Sequence, residues 1–375
     1  MLRILFALNA AVLLAACGSE TSTVSNARPV FHEEGYPERL SDWNVVRSEG
    51  GALRLAAGTT PYDLATPLFT DYALKLRTVS LPEGAKADYR DDDVFAFPVG
   101  TIITKTFYFG QNADGAVTDS GAPAFSDGAL PMEGVRLMET RVLAHRADGW
   151  VAIPYVWNEA QTEAMLKRTG AIATLTLARA GTTPVEFPYV VPNQNQCAGC
   201  HAPNNTTRAI SPIGPKARHL NTASVYHDGA NQIAYWRDAG LLAISEAEFA
   251  AAPQNAVWTD ETASVDARAR AYLDSNCSHC HNSVGPADTS GLDLTPTAAG
   301  PSLGYCKAAI AAGDGAGGRP YDIVPGHPDD SILLFRMETT DPAAMMPELG
   351  RALAHDEGVA LIREWIAGLD SDGCA

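Results

Sequence analysis

Residues 262–281 read Thr262-Ala-Ser-Val-Asp-Ala-Arg-Ala-Arg-Ala-Tyr-Leu-Asp-Ser-Asn-Cys277-Ser-His-Cys280-His281. Val265, Ala269, Tyr272 and Leu273 fall near helical spacing, so the stretch predicts a helix that runs straight into Cys277. It ends in C-x-x-C-H: two thiols spaced to add to the two vinyl groups of one porphyrin, then an imidazole that reaches the iron. The same pattern stands upstream as Cys197-Ala198-Gly199-Cys200-His201. At this composition chance supplies one such motif about 0.003 times per chain, so a pair points to two covalently bound c-type haems. A zinc ribbon would bring its C-x-x-C pairs within about 15–20 residues of each other, whereas 76 residues separate Cys200 from Cys277. A thioredoxin-like dithiol would sit in a βαβ pattern, and neither motif does.

Beyond the second motif, Val359, Ile362, Ile366 and Leu369 follow helical spacing, with Asp356 placed to cap the helix. Two helices bracketing the motif resemble a small mono-haem cytochrome c, a likeness that covers about 110 residues. That resemblance implies a sixth iron ligand before the last helix. Met346, directly before Pro347 and 65 residues after His281, stands where it would fall, with Met345 as the alternative. Thioether ligation raises the reduction potential relative to a second imidazole. The first motif has a different setting, because Phe187 to Pro192 is a strand-like run framed by prolines and no helix delivers it. Its downstream loop contains no Met before Met337. The distal position on this haem falls to His219, to His227, to an upstream Met such as Met165, or to no residue at all.

The first seventeen residues carry Arg3, a short apolar run and Leu14-Ala15-Ala16-Cys17. They are too short to span a bilayer and resemble the lipobox of bacterial lipoproteins, with Cys17 as the acylated residue. Gly18 after it lacks the acidic residue associated with inner-membrane retention, which directs the anchor to the outer membrane. The expected location is the periplasmic side of the cell envelope. For an exported chain, the remaining cysteines, Cys306 and Cys374, read as a disulfide.

Between tether and first motif the signals are strands: Val94–Phe97, Thr101–Phe109, Leu137–Ala144 turning at Ala147-Asp148-Gly149 into Val151–Trp157, and one short helix at Glu159–Lys167. The expected class is therefore multidomain α+β. A β-rich antiparallel domain precedes two haem-binding segments, the second an all-α, cytochrome c-like domain. The expected boundaries are a signal peptide over 1–16, a tether over 17–30, the β-rich domain over 31–195, the first haem segment over 196–255 and the second over 256–375. No Ser/His/Asp or paired-carboxylate arrangement stands out, so no catalytic group is assigned.

Net charge is −17, and residues 256–375 hold −11 of it, which disfavours a nucleic-acid partner and favours basic redox proteins. Several stretches resemble a family of bacterial dihaem c-type cytochromes with lipoprotein members: Tyr62-Asp63-Leu64, Thr66 to Ala73, Phe97-Pro98-Val99-Gly100-Thr101, Tyr155-Val156-Trp157-Asn158, the first C-x-x-C-H, Gly214 to Arg218 and Val324-Pro325-Gly326. The likeness runs over most of residues 31–370. It implies an electron carrier of the cell envelope and carries over Cys197, Cys200, His201, Cys277, Cys280 and His281 as haem-binding residues. Two other readings stand beside it: a dihaem peroxidase or oxidase with an open first haem, and a binding module whose β-rich domain is linked to redox state.

Overall fold

The computed structural model describes residues 27–310, 313–370 and 374. The expected signal peptide, Cys17 and most of the expected tether lie outside the described residues. The last tether residues are docked: Val30 donates its N–H to Trp43 O at 2.8 Å, and Asn44 Nδ2 donates to Arg28 O at 2.7 Å. The protein is mixed α and β. Among the described residues no helix is long and apolar enough to cross a membrane.

The strands in chain order are β1 Val46–Glu49, β2 Ala52–Leu55, β3 Thr59–Tyr62, β4 Leu74–Ser80, β5 Ala87–Asp88, β6 Ile102–Gln111 and β7 Val117–Thr118. After them come β8 Ala129–Pro131, β9 Val135–Arg146, β10 Gly149–Trp157, β11 Ala164–Leu166, β12 Ala171–Leu177, β13 Val185–Val191 and β14 Leu242–Ala243. Long β6, β9 and β10 form the middle of a nine-stranded sheet, because Ile, Val, Phe and Thr alternate along them and bury both faces. Its pairing is antiparallel throughout, apart from the short contact of β7 with β12. One face, with Leu76, Ile102, Val142 and Ala144, packs on Trp43 and on the three-stranded sheet β1-β2-β8. The other, with Val79, Ile103, Leu143 and Ala152, packs on the segment that carries the first motif.

The helix expected at Glu159–Lys167 is absent. Residues 158–163 form a turn in which Gln161 has a left-handed backbone and bonds Leu137 N through its side chain at 2.6 Å. The chain then returns as β11 alongside β10. Cross-strand pairing on an existing edge outweighs the weak helix preference of Glu, Ala and Lys.

Helices follow the sheet: α1 Ala198–His201, α2 Ala217–Leu220, α3 Gln232–Asp238, α4 Glu246–Ala251, α5 Val265–Asn276, α6 Gly300–Leu303, α7 Ile332–Glu338 and α8 Asp356–Ala367. Helices α5, α7 and α8 build a separate core from Leu273, Leu334, Leu361, Ile362 and Trp365. Gly358 lets α8 close on α5, since a Cβ there would stand 2.4 Å from the Tyr272 hydroxyl. The expected cap, Asp356, is instead the first helical residue, preceded by His355. The backbone N–H of Asp356 is taken up by the Tyr72 hydroxyl at 3.0 Å.

Residues 66–73 stitch the two parts together. Thr66 Oγ1 donates to Ala256 O at 2.9 Å, Asn276 Oδ1 accepts from Phe69 N at 2.8 Å, and Asp71 Oδ1 accepts from Ala352 and Leu353 N at 2.7 and 2.8 Å. Asp71 and Tyr72 both hold left-handed backbones, a conformation costly for non-glycine residues and retained here at the seam.

Candidate functional site

The first motif begins five residues after β13 ends, and its only regular structure is the single turn α1. Cys197 and Cys200 are unoxidised thiols, and Cys197 is buried in the core shared with the sheet. His201 Nδ1 lies 3.0 Å from Ser211 O, which as an acceptor fixes the proton on Nδ1 and leaves Nε2 as the ligating nitrogen. The ring faces a cavity of about 90 Å³, open to solvent on one side, with an apolar wall of Ile103, Leu143 and Ile213 and a basic edge of Lys105 and Arg141. Burial, with Lys105 and then Arg141 nearby, pulls the His201 pKa down to about 3, so the imidazole is neutral and ready to ligate.

At the second motif, α5 delivers Cys277 and Cys280, both unoxidised. His281 Nδ1 stands 3.3 Å from Ser290 Oγ, so here too one nitrogen is engaged and Nε2 is left over. Burial, Arg336 and Lys307 draw its pKa down to about 4. Met346 is half-buried, with its N–H donated to Arg336 O at 2.8 Å and its carbonyl accepting from Arg351 Nε at 3.1 Å. Its backbone is thus pinned to the residue whose charge acts on His281. Met345 is buried, and Met337 belongs to the core of α5, α7 and α8.

Folding brings together what 76 residues of sequence separate. Cys280 Sγ lies 3.6 Å from Gly199 O inside the first motif, Asn205 N donates to Val284 O at 2.7 Å, and Leu349 packs 3.0 Å from where a Cβ on Gly199 would stand. His279, between the cysteines of the second motif, acts electrostatically on His201 and makes no hydrogen bond among the described residues.

The residues expected to compete for the position opposite His201 lie in different places. His219 lines the same cavity as His201, but its Nε2 is bonded to Asp274 Oδ2 at 2.8 Å, leaving only Nδ1. A carboxylate on the far nitrogen is also the arrangement that orients a ligating histidine. His227 stacks on Tyr235 at 3.6 Å with Nε2 against Pro61 O, and Met165 is exposed on edge strand β11; neither lines the cavity. Cys306 and Cys374 are joined in a disulfide.

The donor chemistry fits c-type haem: at each motif a pair of free thiols and a neutral imidazole anchored through one nitrogen, and at the first a cavity with apolar and basic walls. The four motif thiols do not converge as a zinc site requires, and among the described residues no three His, Cys, Asp or Glu side chains are grouped to hold an ion directly. The basic edge escapes a reading by motif: Lys105 is the one charged residue of β6, but Arg141 shares β9 with Arg136, Glu139 and Arg146. Comparison with protein-family models, curated proteins and solved structures finds no match for the chain.

Proposed function

We propose that this protein is an exported, lipid-anchored dihaem c-type cytochrome that carries electrons in the bacterial cell envelope. The observation that carries the reading is the direct contact of the two C-x-x-C-H motifs, Cys280 against Gly199 and Asn205 against Val284. A haem held at each motif supplies an iron that cycles between ferric and ferrous states, one electron at a time. Everything else falls to the chain. Cys197, Cys200, Cys277 and Cys280, free thiols here, would hold the rings covalently through their vinyl groups. His201 and His281 present neutral Nε2 atoms, held in orientation by Ser211 and Ser290. Ile103, Leu143 and Ile213 give the first site an apolar wall for the ring, and Met346 offers a thioether at the second.

The acidic 256–375 region provides a face for basic redox partners, whose docking should weaken as salt screens it. Low-temperature EPR of the oxidised, haem-loaded protein tests the proposal. Two covalent haems per chain, both low-spin, support electron carriage. A high-spin ferric signal with peroxide turnover replaces it with peroxidase chemistry at the first haem, and fewer than two covalent haems removes it.

A further inference from the structure

Three basic side chains stand in one row across the sheet. Arg77 on β4 is directly opposite Lys105 on β6, and Lys105 is directly opposite Arg141 on β9. Like charges so placed repel and destabilise a sheet. The row beside it on the same face is apolar, Val79, Ile103 and Leu143. Both rows face the segment that carries the first motif, and Arg77, Lys105, Arg141, Ile103 and Leu143 line the His201 cavity.

Carboxylates answer only part of this charge. Asp63 pairs with Arg77 at 3.0 Å, and Glu139 pairs with Arg141, Nε to Oε2 at 2.8 Å. Lys105 forms no ion pair among the described residues, and Lys75 donates only to Ala73 O at 2.8 Å. Asp71 acts on Lys75 from a distance, with one oxygen already committed to the Ala352 and Leu353 amides. Lys75, Lys105 and Arg141 crowd over the Phe107 ring at 5.8, 5.2 and 4.4 Å. Within the row, Asp63 and Glu139 answer Arg77 and Arg141 and leave Lys105 without a carboxylate, while Lys75 stands one row further along, outside the cavity lining.

We propose that the Arg77–Lys105–Arg141 row is the anion subsite of the first haem and receives its propionate edge, with Lys105 the cation left to pair with a carboxylate. A haem presents an apolar ring with both carboxylates on one edge, which is the pattern of the adjoining apolar and basic rows. The inference rests on the dihaem reading above, and the test separates the two.

Haem content of the wild-type full chain is measured first, because fewer than two covalent haems overturns that reading itself. Midpoint potentials of both haems are then compared for wild type, Lys105→Gln and Lys105→Arg, with EPR assigning each haem. Losing a nearby cation favours the ferric state. Lys105→Gln is therefore expected to lower the potential of the first haem alone, while Lys105→Arg keeps it near wild type. Unchanged potentials in a fully loaded Lys105→Gln protein overturn the inference. So does loss in that variant of a spectral change induced by nitrite or sulfite, with potentials unmoved, since the row would then serve an external anion. If the Gln variant does not accumulate, resonance Raman of the wild type decides: propionate bending bands of one haem shifted as for salt-bridged carboxylates support the inference, and solvent-like bands on both haems overturn it.

Discussion

Arg218 and Asp274 meet through two parallel hydrogen bonds, Nε to Oδ2 at 2.7 Å and Nη2 to Oδ1 at 2.9 Å, across 56 residues of sequence. The pair joins α2, downstream of the first motif, to α5, which ends at the second. His219, Asn255 and Ser278 bond the same carboxylate at 2.8, 2.7 and 2.9 Å. Burial alone would raise the Asp274 pKa, but hydrogen bonds from His219 and Arg218 overcome it and hold the carboxyl far below its usual range.

Asp274→Asn therefore leaves a buried guanidinium without its counter-charge, and a loss of about 3–5 kcal/mol is expected. Denaturant titration of the full chain measures it. A loss under about 1 kcal/mol would mean that the pair is dispensable.

Residues 256–375 expressed alone should fold far less well than in the full chain, although they have their own apolar core. The fragment loses Arg218 and His219 from Asp274, Phe69 from Asn276, and Asp71 from the Ala352 and Leu353 amides. At about 1 kcal/mol for each lost hydrogen bond the fragment gives up several kcal/mol. A denaturation midpoint equal to that of the full chain would contradict this.

Met346→Ala should abolish the thioether-to-ferric charge-transfer band and lower the potential of the second haem, while Met345→Leu leaves both intact. Absorption spectra and redox titration of the loaded proteins read this out. The reverse pattern would transfer the ligand role to Met345.

His355 stacks on Phe69 at 4.2 Å and lies 2.9 Å from the Tyr272 hydroxyl through Nδ1. Burial lowers its pKa to about 4, against about 6.5 in the unfolded chain. Between these values the unfolded state binds the extra proton, so stability falls as pH drops from about 6.5 towards 4. His355→Gln should flatten that part of a stability-against-pH curve measured by urea denaturation, and an unchanged slope would exclude His355 as its source.

Cys374→Ser opens a loop of 68 residues and should cost about 4 kcal/mol on chain-entropy grounds. Comparing wild type and variant under oxidising conditions tests this, and a matched pair of melting curves would refute it.

The proposed haem attachment rests on a local signal, because covalent attachment demands adjacent residues and C-x-x-C-H spans five positions. Strands β6, β9 and β10 are legible for a similar reason, since alternation along one strand decides which side chains are buried. Contacts set by register are not. Nothing local to Arg77, Lys105 or Arg141 says that they stand in one row, and nothing near Asp274 says that its partners lie 55 and 56 residues earlier. The turn at 158–163 is misread as helix because its deciding partner, Leu137, sits on another strand.

The Cys306–Cys374 link also has a bearing on how the molecule is made. An oxidant must join these two sulfurs while sparing four others that are useful only as thiols, and Cys374 follows the last motif thiol by 94 residues. In an exported chain the motif thiols emerge before the disulfide can close. On the dihaem reading proposed above, maturation would be a race in which porphyrin captures Cys197, Cys200, Cys277 and Cys280 before the oxidising machinery that closes the disulfide can reach them.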